Sequence, residues 1–133
     1  MLLSYINVKS AQRIQFIDIT QRVRQEVKDS GMRSGVCYLF VPHTSAGITI
    51  NEGADPSVQR DIHATLSRLI PQDPNYSHAE GNSDAHLKSS LVGASISIPV
   101  DEGALVLGTW QAIYFCEFDG PRHRRVAVKL IAG

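Results

Sequence analysis

The sequence predicts an α+β protein, an antiparallel β-sandwich or meander with two or three helices packed on it, and three observations carry that prediction. From Ala94 onward apolar residues alternate with small polar ones. Ala94, Ile96, Ile98 and Val100 fall on one side and Ser95 and Ser97 on the other, the pattern of a half-buried strand, and Val126, Val128 and Leu130 repeat it. Val58, Ile62, Leu66 and Leu69 instead recur at helical spacing behind Asp55-Pro56, where the carboxylate caps free amides and proline occupies the first helical position without losing a bond. The clusters Asp101-Glu102-Gly103 and Asp119-Gly120-Pro121 are tight-turn chemistry, which favours antiparallel neighbours over helical crossovers.

Composition bounds the answer. A chain of 133 residues, 43% hydrophobic and 20% charged, suits one domain spanning residues 1–133 that folds on its own core. Thirteen basic side chains balance 13 acidic ones, which removes the general electrostatic reason to expect nucleic acid or an anionic membrane as a partner. Neither a secretory leader pattern near Met1 nor an apolar run of membrane-spanning length is seen, so the expected location is cytoplasmic. Cys37 and Cys116 each sit in an apolar run and read as reduced core thiols.

Taken in order, Arg13 to Thr20 predicts a strand, after which Thr20 caps a helix that places Val23 and Val27 on one face and ends at Gly31. Gly35 to Pro42 reads as a fully buried strand, His43-Thr44-Ser45 as a polar break, and Gly47 to Asn51 as the next strand. The Asp55-Pro56 helix closes before Pro71. Pro71 to Asn82 is a loop, and Asp84 caps a short helix running through Leu91 to Gly93. Beyond the Ala94 strand, Ala104 to Phe118 reads as one long strand that leads through a turn into the final one.

The chemistry-bearing residues crowd into a few places. His78-Ala-Glu-Gly-Asn-Ser-Asp-Ala-His86 carries two imidazoles, two carboxylates and an amide, and His43 ends a buried strand from which it can be aimed into a pocket. His43, His78 and His86 are therefore candidate ligands for a divalent metal such as zinc, manganese or magnesium, although their spacing matches no zinc signature. Asn51 and Glu52 end the following strand. Glu52 is a candidate general base, and a pocket shared with His43 is expected. Asp55 reads as a cap and His63 as a solvated residue on the edge of its helix. Glu117, a carboxylate in an apolar run, is either the buried partner of an arginine or a catalytic group with a shifted pKa. Arg122, His123, Arg124 and Arg125 form the only basic cluster. Arg122 is read as an anion-holding group near Glu117 and Asp119, and His123 and Arg124 as solvated. Asn82, Asp84, Thr109 and Gln111 complete the candidate substrate-binding set.

The blocks His43-Thr-Ser-Ala-Gly, Asn51-Glu52-x-x-Asp55-Pro, His78-x-Glu-Gly-Asn-x-Asp-Ala-His86, Gly108-Thr-Trp-Gln111 and Glu117-x-Asp-Gly-Pro-Arg122 together resemble the YjbQ-like family over nearly the whole chain. The resemblance implies a small antiparallel sandwich with helices, a homotrimer, and a weak, secondary thiamine-phosphate synthase activity that joins a pyrimidine pyrophosphate to a thiazole phosphate. A pocket near a subunit boundary is then expected, so His43 need not meet the His78–His86 loop within one chain. Three readings compete: an enzyme acting on a small phosphorylated substrate, a module that binds a metal or phosphometabolite without turnover, and a polar cluster that only glues a trimer together.

Overall fold

The structure, a computed structural model, describes residues 3–133. Among these residues the chain forms eight strands and three helices: β1 (Leu3–Lys9), β2 (Gln15–Asp18), α1 (Thr20–Ser30), β3 (Gly35–Phe40), β4 (Ala46–Glu52), α2 (Pro56–Leu69), α3 (Ser83–Val92), β5 (Ser95–Asp101), β6 (Ala104–Leu105), β7 (Gln111–Glu117) and β8 (His123–Ala132). They build two antiparallel sheets, one of five strands in the order β1-β8-β3-β5-β6 and one of three in the order β2-β7-β4. This is the α+β antiparallel sandwich expected.

The alternation that predicted strands also decides which side chains meet between the sheets. Ile6 and Val8, Cys37 and Leu39, Ile98 and Val100, and Val126, Val128 and Leu130 turn inward from the larger sheet onto Ile48, Ile113 and Phe115 of the smaller one. Val23 and Val27 of α1 join the same core. The strand β7 is buried on both faces. Ile113, Phe115 and Glu117 face the interior, whereas Ala112, Tyr114 and Cys116 pack on the outer side with Ala85 and Val92 of α3 and Leu66 of α2.

Several local expectations are corrected. β3 is not buried on both faces: Val36, Tyr38 and Phe40 are exposed and alternate with buried Cys37 and Leu39, because no layer among the described residues covers the outer face of the larger sheet. The stretch from Ala104 to Phe118 is not one strand. It pairs with β5 only at Ala104–Leu105, crosses to the other sheet through a turn at Thr109–Trp110, and leaves Trp110 65% exposed. Thr20 does not cap α1 through its own side chain. Asp18 Oδ1 instead accepts from Thr20 N and Oγ1 at 2.9 and 2.6 Å, while Thr20 Oγ1 accepts from Ile113 N and ties the helix to β7. Asp84 lies inside the first turn of α3, and Asn82 stands at its N-cap. Asp55 caps α2 as expected, accepting from Ser57 N at 2.9 Å. β1 went unread because its alternation is short and mixed with polar residues; β8 completes it by antiparallel pairing from Leu3↔Lys129 to Lys9↔His123.

Candidate functional site

β4 separates two polar clusters that the sequence suggested would share one pocket. Its start pairs Ala46 with Glu117 and its end pairs Glu52 with Gln111, so the ends stand about 20 Å apart at about 3.3 Å per residue. His43, Thr44 and Ser45 precede the first end. Asn51, Glu52 and the Gly108–Gln111 turn meet at the second.

At the first end, the break after β3 lies against α3. The Thr44 carbonyl accepts from His86 Nδ1 and from Ser89 Oγ, both at 2.8 Å. Because a carbonyl can only accept, this contact places the proton of neutral His86 on Nδ1 and leaves a lone pair on Nε2. His43 Nε2 accepts from the Arg125 amide at 3.1 Å, which places its own proton on Nδ1. Burial, followed by the neighbouring Arg124 charge, holds the His43 pKa below its ordinary value, so the ring is neutral at pH 7. His43 and His86 line one open cavity of about 510 Å³ with Thr44, Ser89, Ser90 and Gly93. His78 stands edge-on to His86 with ring centroids 5.3 Å apart, and its Nε2 lies 3.6 Å from Glu80.

Behind this cavity is a buried ionic network. Glu117 is fully buried; its Oε1 accepts from Ser10 Oγ at 2.7 Å and Arg124 Nε at 2.9 Å, and its Oε2 from Arg124 Nη2 at 2.5 Å and the Asp119 amide at 3.1 Å. Burial alone would raise the Glu117 pKa, but these donors outweigh it and the pKa is lowered. Arg124 also donates to Ser45 Oγ at 2.9 Å, so Glu117 fixes the polar break by way of Arg124. Glu117 thus takes the first of its two expected roles, the buried partner of an arginine. A carboxylate with four donors and a lowered pKa is a weak base.

The partner is Arg124, not Arg122, which corrects the solvated reading of Arg124. Arg122 bonds the carbonyl and carboxylate of Asp119, at 2.8 and 3.1 Å, and Asp119 accepts from Asn82 Nδ2 at 2.9 Å. Asn82 and Arg122 therefore join α3 to the turn before β8, and Asn82 Oδ1 is buried without a partner. Asp84 is buried against Arg13, at 2.9 and 3.1 Å, and buried Lys88, at 3.2 Å. Burial raises its pKa, but these two cations outweigh that effect and lower it. The side chain is fully committed to holding α3 in place.

The expected three-histidine metal site is not assembled within one chain. Among the described residues no three His, Cys, Asp or Glu side chains converge to hold an ion. His78, His86 and His43 do come to one region, but the Nε2 of His43 is occupied by the Arg125 amide. At the far end of β4, Glu52 Oε2 accepts from the amides of Ala54 and Asp55 at 2.6 and 3.3 Å, and Asn51 Oδ1 from the Glu52 amide at 2.7 Å. Gln111 Oε1 accepts from the Gly108 amide at 2.7 Å, and Thr109 is exposed on that turn. The pocket that was expected to join Glu52 to His43 does not form, because the length of β4 lies between them.

Sequence reasoning missed Ser10, Arg13, Lys88 and Ser89, gave Ser45 only as part of a polar break, and read Arg124 as solvated. One signal was available: Arg124 has the same strand parity as Val126, Val128 and Leu130, the inward residues of β8. The Arg13–Asp84 pairing left no such mark.

Comparison with known proteins gives the lineage. A family model described as UPF0047 protein YjbQ-like matches residues 4–133. UPF0047 protein MJ1081 of Methanocaldococcus jannaschii is 52% identical, with 98% of this chain and 94% of that protein covered. UPF0047 protein YugU of Bacillus subtilis is 46% identical, with 98% and 99% covered. A crystal structure of a hypothetical protein of Aeropyrum pernix superposes with a TM-score of 0.95 at 36% identity, covering 100% of both chains. A YjbQ/UPF0047-family structure from Clostridium acetobutylicum gives 0.94 at 52% identity, covering 96% of this chain and 99% of that one. The chain belongs to the YjbQ-like UPF0047 family.

Proposed function

We propose that the chain is an enzyme acting on a small phosphorylated molecule in the cavity between His43 and His86, with His86 as its acid/base group. The carrying observation is the 2.8 Å contact from His86 Nδ1 to the Thr44 carbonyl, which orients the ring and leaves Nε2 to exchange a proton or, once protonated, to donate to a phosphate oxygen. Of the nearby cations, Arg124 is balanced by Glu117, whereas Arg125, whose amide donates to His43, adds a positive charge felt at His43 that favours an anion. This reading moves the base from Glu52 and Glu117, whose carboxylates are engaged by other donors, to His86. The weak thiamine-phosphate synthase reaction, with its displacement of pyrophosphate, is the first to test. Its leaving group needs positive charge beside it, a role that falls to a protonated His86 with Arg125 nearby. Among the described residues of one chain the three histidines do not fit a resident metal, since no three such ligands converge and His43 Nε2 already takes the Arg125 amide.

Self-association as a homotrimer is part of the proposal. The outer face of the larger sheet exposes Leu3 and Tyr5 of β1 and Val36, Tyr38 and Phe40 of β3, an apolar patch of the kind that marks protein contacts. No described helix is long and apolar enough to cross a membrane, and two buried free thiols suit the cytoplasmic setting we propose.

The test incubates purified protein with the pyrimidine pyrophosphate and the thiazole phosphate, with and without zinc, manganese or magnesium, beside His86→Ala. Product from the parent, reduced about 100-fold or more in the variant at unchanged oligomer mass, supports the reading. Saturable binding of either phosphate without turnover favours a binding module. Equal activity in parent and variant removes His86 from the chemistry.

A further inference from the structure

A second cavity of about 320 Å³ lies on the other side of the last turn of α3, between α2 and the outer face of the three-stranded sheet. We propose that it is a binding site for an uncharged heteroaromatic molecule carrying a ring-nitrogen or carbonyl acceptor. The proposal stands apart from the reading of the histidine cavity.

Three observations carry it. First, α2 is amphipathic over Pro56–Leu69, yet none of its residues is fully buried. Ile62 and Leu66 face the cavity, so the helix meets the sheet at Leu66 and walls a space beside that contact. Second, the floor presented by the sheet is mixed. Tyr114 and Phe16 offer ring surface, while Thr49 and Asn51 interrupt what a simple helix-packing face would fill with apolar side chains. Third, the hydrogen-bonding groups are only partly used. The Asn51 carbonyl oxygen takes the Glu52 amide and the Tyr114 hydroxyl donates to the Glu52 carbonyl at 3.2 Å, which leaves the Asn51 NH2 and the Thr49 hydroxyl open to a ligand. The Asn51 donors call for an acceptor.

The walls also state what is refused. The cavity is lined by uncharged side chains among the described residues, so an ionised ligand would lose hydration with no counter-charge to replace it. A planar neutral ring fits the slot between a sheet face and a helix, where Tyr114, Phe16 and Leu66 contact it on its faces and edges. The charge preference is therefore opposite to that proposed for the His43–His86 cavity, although the end of α3 divides the two, with Leu91 and Val92 on this side and Ser89, Ser90 and Gly93 on the other.

The test titrates quinazolin-4-one into the ¹⁵N-labelled full chain, with benzoate as a charged control of similar size, and repeats the titration in Asn51→Ala and Thr49→Phe. The expected result is saturable shifts centred on residues 49, 51, 66, 92 and 114, about tenfold weaker binding in Asn51→Ala, none in Thr49→Phe, and benzoate at least about tenfold weaker than quinazolin-4-one. Asn51 is exposed, so its variant keeps the test decisive if Thr49→Phe does not fold. No saturable shift at millimolar probe, equal binding of benzoate, or unchanged affinity in Asn51→Ala would overturn the proposal.

Discussion

Replacing Arg124 with methionine tests the buried network that holds the histidine cavity together. Glu117 is fully buried and receives two of its four donors from Arg124, so Arg124→Met leaves a carboxylate with Ser10 Oγ and the Asp119 amide but no counter-charge. Removing one partner of a buried pair costs about 3–5 kcal/mol, and the two surviving bonds place this case near about 3. For a chain of this size that is a fall in Tm of roughly 10 °C. The pH dependence gives a sharper signature. In the parent the Glu117 pKa is lowered on folding, so its contribution is fully present above the unfolded value of about 4.3 and is lost only as pH falls through the folded value. In the variant, burial without Arg124 raises the pKa instead. The folded state then gains a proton on acidification and the destabilisation is relieved. Thermal unfolding at pH 7 and pH 5 should show the gap between parent and variant narrowing at the lower pH. Glu117→Leu with Arg124→Met should recover part of the loss, since the stranded charge is gone. A gap under about 1 kcal/mol at pH 7, or one that does not change with pH, would refute this reasoning.

Three further predictions follow from the geometry. Cys37 and Cys116 are buried, and burial pushes their thiols up to about 11 and about 12. Neither should react with a thiol reagent at pH 8 in the native protein, and both should react after unfolding; rapid native labelling would contradict the packing. His43 should titrate in NMR below the ordinary midpoint of about 6.5, with its contribution to stability present above that pH and lost as pH falls toward the folded value. A midpoint at or above 6.5 would contradict the stated effects of burial and Arg124. Gly47→Ala places a Cβ 2.8 Å from the Gly93 carbonyl and 3.1 Å from Val92, forcing β4 away from α3. Denaturant unfolding should show a loss of about 1–3 kcal/mol, and an unchanged midpoint would mean that the contact yields freely.

Most of the fold was legible because period and punctuation agreed with burial. Ile98 and Val100 alternate inward, and Asp55-Pro56 opens α2 where it was read. What failed depended on which faces other layers cover. Val36, Tyr38 and Phe40 look like core in the sequence, but they lie on the outer face of a sheet whose other face alone is packed. The site was half legible. His43 and His86 do line one cavity, whereas Glu52 is separated from them by β4, a distance that residue types at strand ends do not encode. Glu117 stood out as a carboxylate among apolar residues. Its partner was hidden because Arg124 sits within a run of cations that reads as solvent-exposed, although its parity with Val126 and Val128 pointed inward.

The most direct test of the central claim is a long-range ¹H–¹⁵N spectrum of the histidine rings, recorded free and with a phosphate monoester such as the thiazole phosphate. The contact with Thr44 predicts His86 as the Nδ1–H tautomer in the free protein, with Nε2 shifting saturably as the phosphate is added and no such shift when His43→Ala and Ser89→Ala disrupt the cavity. An Nε2–H tautomer, or a His86 ring that phosphate leaves unperturbed, would contradict the account.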